Sequence, residues 1–156
     1  MFQPREIIYG YAKGLYMPHN KYLVVIYQDD NLSIVACFTT SKSRAGVPEK
    51  DIHHGAIYRN RKCVSYVFDE GKYIGVNPQT GEPFSFPKRT VITFDYGVRE
   101  APIEFFLKEF NNPKVVCVLN EQEYIDLVYA MYSSPDTDMR HKQALDKILR
   151  EYYSSK

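Results

Sequence analysis

The chain has 156 residues, 44% hydrophobic and 25% charged, which bounds it to one domain of ordinary globular composition with a sizeable core. A formal net charge of +1 excludes a global basic field, so any nucleic-acid surface has to be a local cluster. Cys37, Cys63 and Cys117 each sit inside an apolar run without metal-ligand or redox spacing, and read as buried, reduced thiols.

Taken in order, residues 5–11 predict a first strand, and residues 12–20, with Gly14, Pro18 and His19, an irregular loop. Two apolar runs follow, 22–27 and 32–38, around the polar break Gln28-Asp29-Asp30-Asn31. They predict a hairpin, and their near-continuous apolarity predicts burial on both faces. Thr39-Thr40-Ser41-Lys42-Ser43-Arg44 then brings hydroxyls and positive charge to the hairpin's end, and residues 41–51 form a loop. Residues 53–58 and 62–68 read as strands, 69–72 as a turn, 73–76 as a return strand, 77–83 as a turn-rich tip and 89–96 as a further strand. Six or seven short strands at spacings of about 8 to 15 residues point to a small barrel or sandwich.

The last third changes period. Ala101-Pro102 opens a helix with Ile103, Phe106, Leu107 and Phe110 on one face, and residues 114–119 predict another strand. Asn120 is placed to cap a helix with Glu123 at the capping-box position and Tyr124, Leu127, Val128 and Met131 as its stripe. Ser134-Pro135-Asp136 starts a final helix carrying Leu145, Ile148, Leu149 and Tyr152. With no repeat or linker, the expectation is a single α+β domain spanning 1–156. It combines a small antiparallel β-barrel with a helical extension over about residues 120–154. No apolar run approaches the length of about 20 residues that a spanning helix needs, and the first residues lack a signal peptide's apolar region. The expected location is therefore cytoplasmic, with no membrane partner.

Phosphate-loop, dinucleotide and zinc motifs are absent, so no cofactor is expected. His53 and His54 are adjacent and point to opposite faces of an extended segment, which argues against a shared metal site. The chemistry on offer is one polar group. In an antiparallel hairpin the start of the first strand lies beside the end of the second. His19 and Lys21 are thus expected within reach of residues 39–42, although a hydrated rim would carry the same residue types. Arg59 and Arg61, near Tyr58 and Tyr66 in sequence, read either as a basic-aromatic surface for RNA or as charges bracketing a turn.

Residues 21–27 (KYLVVIY) resemble the R-P-V-L-V-V-S strand of the MazF/PemK-type toxins of bacterial toxin–antitoxin systems. Residues 34–42 (IVACFTTSK) resemble that family's V-V-A-P-L-T-S-K strand and loop. Residues 119–131 (LNEQEYIDLVYAM) resemble its closing helix L-S-x-E-E-x-x-x-V-x-x-A-L. The three matches keep the family's order and cover about a third of the chain. The resemblance implies an SH3-like barrel and a homodimeric, metal-independent endoribonuclease that cleaves single-stranded RNA and is controlled by an antitoxin. It puts Lys21 at the position of the family's catalytic arginine. Thr39 or Thr40 stands at that of its threonine, with Thr40 favoured because Ser41-Lys42 then complete T-S-K. Thr40 and Ser41 become hydrogen-bonding support and His19 a candidate acid or base. Lys42, Arg44, Arg59 and Arg61 become the RNA-binding cations. The chain departs from the pattern at Lys21, at Tyr22 in place of the family proline, and in the faint echo of the family's first loop across residues 14–21. The alternative of another class is an SH3-like barrel that binds protein or nucleic acid and cleaves nothing.

Overall fold

In a computed structural model of the chain, which describes residues 1–15, 17–31, 33–41 and 47–156, the strands are β1 (Glu6–Ala12), β2 (His19–Gln28), β3 (Ser33–Phe38), β4 (Gly55–Arg59), β5 (Lys62–Phe68), β6 (Gly75–Val76), β7 (Pro83–Phe84), β8 (Thr90–Thr93), β9 (Val98–Pro102) and β10 (Phe110–Leu119). The helices are α1 (Ile103–Glu109), α2 (Glu121–Ser133) and α3 (Met139–Ser154). Every strand pair among the described residues is antiparallel, so the class is α+β. The pairing gives two open sheets, ordered β7-β6-β10-β1-β2-β3-β9 and β4-β5-β8, and no closed barrel forms among the described residues. None of the described helices is long and apolar enough to cross a membrane.

The chain divides into two compact units, each assembled from three stretches. The first comprises Met1–Thr39, Tyr73–Ser85 and Val98–Asn120, and holds the seven-stranded sheet with α1. Its fifth and sixth strands are the β2–β3 pair, the hairpin that the two apolar runs predict. Leu23, Val24, Val25 and Ile26 are wholly buried, as are Val35, Ala36 and Cys37 across from them. Asp29 closes the hairpin, its Oδ1 accepting the backbone N–H groups of Asn31 and Ser33, both at 2.9 Å. A register shift between Val25 and Tyr27 marks a bulge. Phe2, Ile8, Leu23, Val25, Ile34, Phe106 and Phe110 pack as the core, each contributing about 1.5–3 kcal/mol by leaving water. Gly75 is required where β6 meets β10. A Cβ there would lie 2.2 Å from the Val118 carbonyl oxygen and 2.6 Å from Cys117 Sγ.

The second unit comprises Thr40–Lys72, Phe86–Gly97 and Glu121–Lys156. Here α2 packs on β4 and β5, and α3 on α2. The β4–β5 hairpin turns through Asn60 and Arg61, both left-handed at φ 51° and 66°, the two-residue geometry whose twist matches the strands. α2 buries Tyr124, Ile125, Leu127, Val128, Ala130 and Met131, and α3 buries His141, Leu145 and Leu149 at four-residue spacing.

Several elements differ from the sequence expectations. His19 and Asn20 belong to β2, where they pair with Ala12 and Tyr11, because β1 extends far enough to hold them. The polar segment 98–102 is an edge strand on β3, unrecognised because its outward residues are charged. Pro102 flanks α1 with extended backbone (ψ 157°) rather than occupying its first turn, and Leu107 is exposed because a seven-residue helix buries only Phe106. α3 starts at Met139, not at Ser134, because Asp138 is its N-cap, accepting the Arg140 N–H at 2.9 Å. The residues before it form a turn in which the Thr137 hydroxyl donates to the Met131 carbonyl at 2.6 Å.

Candidate functional site

The hairpin ends meet as antiparallel pairing requires. Lys21, half-buried in β2, donates from Nζ to the Thr39 carbonyl, the residue that follows β3. Thr39 is itself buried. Its N–H reaches the Tyr22 carbonyl at 3.2 Å and its hydroxyl the same oxygen at 3.4 Å. A cation and a threonine are thus fixed at one end of the β2–β3 pair. His19 is exposed, with its Nδ1–H donating to the Met17 carbonyl at 2.5 Å. Burial raises the Tyr22 phenol above its ordinary range, and the neighbouring Tyr9 adds to the shift.

Thr40 belongs to the second unit, where its N–H and C=O bond the Val91 carbonyl and N–H at 2.8 and 2.7 Å. Ser41 is exposed, while Lys42 and Arg44 lie outside the described residues. Arg59 and Arg61 are exposed at the β4–β5 turn, with exposed Lys62 following. Tyr58 is half exposed beside them, but Tyr66 does not join that surface. α2 covers β5 at Tyr66 and its Glu123 accepts the Tyr66 hydroxyl, leaving the residue 1% exposed.

Tyr66 belongs instead to a buried polar network that the sequence reading missed. The backbone N–H of Asp69 donates to His54 Nδ1 at 3.0 Å, which leaves the ring's other nitrogen as the N–H donor. That Nε2–H donates to Glu123 Oε1 at 2.5 Å, and the Tyr66 hydroxyl donates to the same oxygen at 3.1 Å. Burial first, and the Glu123 carboxylate second, push the Tyr66 phenol far above its ordinary range, so it stays a donor. The signal was present. Glu123 lies four residues before Leu127, on the buried stripe of α2, where a carboxylate needs partners. A cavity of about 320 Å³ opens beside the network, lined by His54, Gly55, Ala56, Tyr66, Asp126, Tyr129 and Tyr153.

All three cysteines are free and buried. Burial pushes the Cys37 thiol up to about 12, against a smaller opposing pull from Arg99, and the Cys63 thiol up to about 11. Neither is a nucleophile at neutral pH. Among the described residues no three His, Cys, Asp or Glu side chains gather as metal ligands. Compared with known proteins, the chain matches no protein-family model, no curated protein and no solved structure.

Proposed function

We propose that the chain is a MazF/PemK-like toxin: a cytoplasmic, homodimeric, metal-independent endoribonuclease of SH3-like barrel type that cleaves single-stranded RNA under the control of an antitoxin. The observation that carries this reading is Lys21 held against Thr39 at the paired ends of β2 and β3. Those ends carry the two sequence matches to the family's active-site strands.

In this reading a base removes the ribose 2′-hydroxyl proton, the oxygen attacks the adjacent phosphorus, and an acid protonates the departing 5′-oxygen. Lys21 supplies positive charge where the phosphorane builds negative charge. A lysine does this as a point charge, without the planar fork of an arginine. Thr40 is the residue assigned to the phosphate in the register that completes T-S-K, while Thr39 bonds the Tyr22 carbonyl through its hydroxyl. Ser41 supports it, and exposed His19 offers an imidazole for proton transfer. Lys42, Arg44, Arg59 and Arg61 attract the RNA backbone.

The same Lys21–Thr39 bond favours a second reading. An ammonium satisfied by a backbone carbonyl can pin a hairpin and do nothing else. The chain would then be a non-catalytic barrel that binds protein or nucleic acid. Induced expression in a bacterial host separates the two. The toxin reading expects growth arrest that Lys21→Ala or Thr40→Ala abolishes at equal protein level. Growth unaffected by the wild-type chain contradicts it.

A further inference from the structure

We infer that the cavity between β4, β5, α2 and α3 is a binding site for an organic cation carrying a guanidinium or ammonium group. It lies wholly in the second unit and owes nothing to the ribonuclease reading, because none of the proposed catalytic residues lines it.

Three features define the ligand. The first is size: about 320 Å³ is at the small end of ligand sites and suits a single planar or tetrahedral cationic head with a short stem. The second is aromatic wall area. Tyr66, Tyr129 and Tyr153 come from a strand and two helices and surround the space, with Tyr66 buried and the other two 51% and 59% exposed. Tyrosine is a poor choice for a solvated helix face but a good one for a cation, whose charge the negative ring faces attract.

The third is charge. Asp126 lines the cavity and Glu123 lies behind it through the His54 and Tyr66 bonds, while no Lys or Arg is among the described lining residues. Both ring nitrogens of His54 are already engaged, Nδ1 by the Asp69 N–H and Nε2 by Glu123. The negative field is felt locally: Glu123 and, after it, Asp126 both oppose ionisation of Tyr66. Asp126 accepts one bond from Gln122 Nε2 at 2.8 Å, which fixes one carboxylate oxygen and fits it to receive a further donor. Three tyrosines, the Asp126 carboxylate and no Lys or Arg among the described lining residues describe a site for a guanidinium or ammonium group, and disfavour anions.

The head group could arrive on a small metabolite or on an arginine side chain of a peptide. The test therefore uses n-propylguanidinium, its neutral isostere n-propylurea, and the peptide acetyl-Gly-Arg-Gly-amide. Each is titrated into the full-length ¹⁵N-labelled chain while amide shifts of Gly55, Ala56, Asp126 and Tyr129 are followed. Saturable shifts with n-propylguanidinium, and none with n-propylurea, are expected. Asp126→Asn and Tyr153→Ala, both at exposed positions, should each weaken binding by about fivefold or more with unchanged melting temperature. Tighter binding of the peptide assigns the cation to a polypeptide, and tighter binding of the free guanidinium assigns it to a metabolite. Equal shifts with the neutral isostere, no shifts with any cation, or binding indifferent to both substitutions overturns the inference.

Discussion

His54 and Glu123 are joined by a 2.5 Å hydrogen bond that ties the entry of β4 to the first turn of α2. Glu123 is 7% exposed and its Oε1 also receives the Tyr66 hydroxyl, so removing the carboxylate strands one buried and one half-buried donor. Glu123→Ala should destabilise the fold by about 2–4 kcal/mol, and Glu123→Gln by less, because an amide oxygen still accepts. Urea unfolding of both variants measures the difference. Equal losses would mean that the charge, not the acceptor, matters.

Gly75 leaves no room for a side chain, since a Cβ would sit 2.2 Å from a backbone oxygen that cannot swing away. Gly75→Ala should therefore separate β6 from β10 and destabilise by about 1–3 kcal/mol or more. A melting temperature within error of wild type would show that the β6–β10 pairing is dispensable.

At the β4–β5 turn, Arg61 adopts φ 66°, a conformation in which glycine carries no Cβ penalty. Arg61→Gly should leave stability unchanged or raise it by about 0.5 kcal/mol, after the glycine's added freedom in the unfolded chain offsets part of the relief. The same variant loses one cation. If Arg61 contacts RNA, the slope of log affinity against log salt should shrink by about 0.7. A firmer fold with weaker, less salt-sensitive RNA binding would mark the arginine as a ligand contact rather than a turn former.

Alkaline pH should weaken the fold through its thiols and Tyr66. Cys37 and Cys63 hold their protons to about 12 and about 11, against an ordinary value of 9.0. Between those limits the unfolded chain loses protons that the folded chain keeps, so stability is complete below about pH 9 and falls as pH rises toward 11–12. Buried Tyr66, shifted upward as well, acts in the same direction. Urea midpoints should decline between about pH 9 and about 10.5, and a thiol reagent at pH 8 should label none of the cysteines until the chain unfolds. Rapid labelling of the native protein would contradict the burial on which this rests.

The strands of the β2–β3 hairpin, β5 and α2 were legible because apolar runs or stripes dictate where they bury, and the meeting of Lys21 with Thr39 followed from antiparallel pairing alone. What escaped was set by tertiary context. The edge strand β9 carries Arg99 and Glu100 among few apolar residues, and it forms because β3 offers an unpaired edge. The His54–Glu123–Tyr66 network joins residues 69 apart in sequence, a distance that no local pattern reports. Glu123 read as a cap because its position in the first turn satisfies that motif, and nothing local reports that its side chain also accepts from His54 and Tyr66.

Incubating the purified chain with a 5′-labelled single-stranded RNA in EDTA, beside Lys21→Ala, tests the proposed activity most directly. A MazF/PemK-like ribonuclease gives discrete fragments ending in a cyclic phosphate, and the Lys21→Ala variant loses them by about 100-fold or more while keeping its fold. Intact RNA with the wild-type chain, or cleavage that Lys21→Ala leaves unchanged, would contradict a catalytic role for the hairpin that brings Lys21 to Thr39.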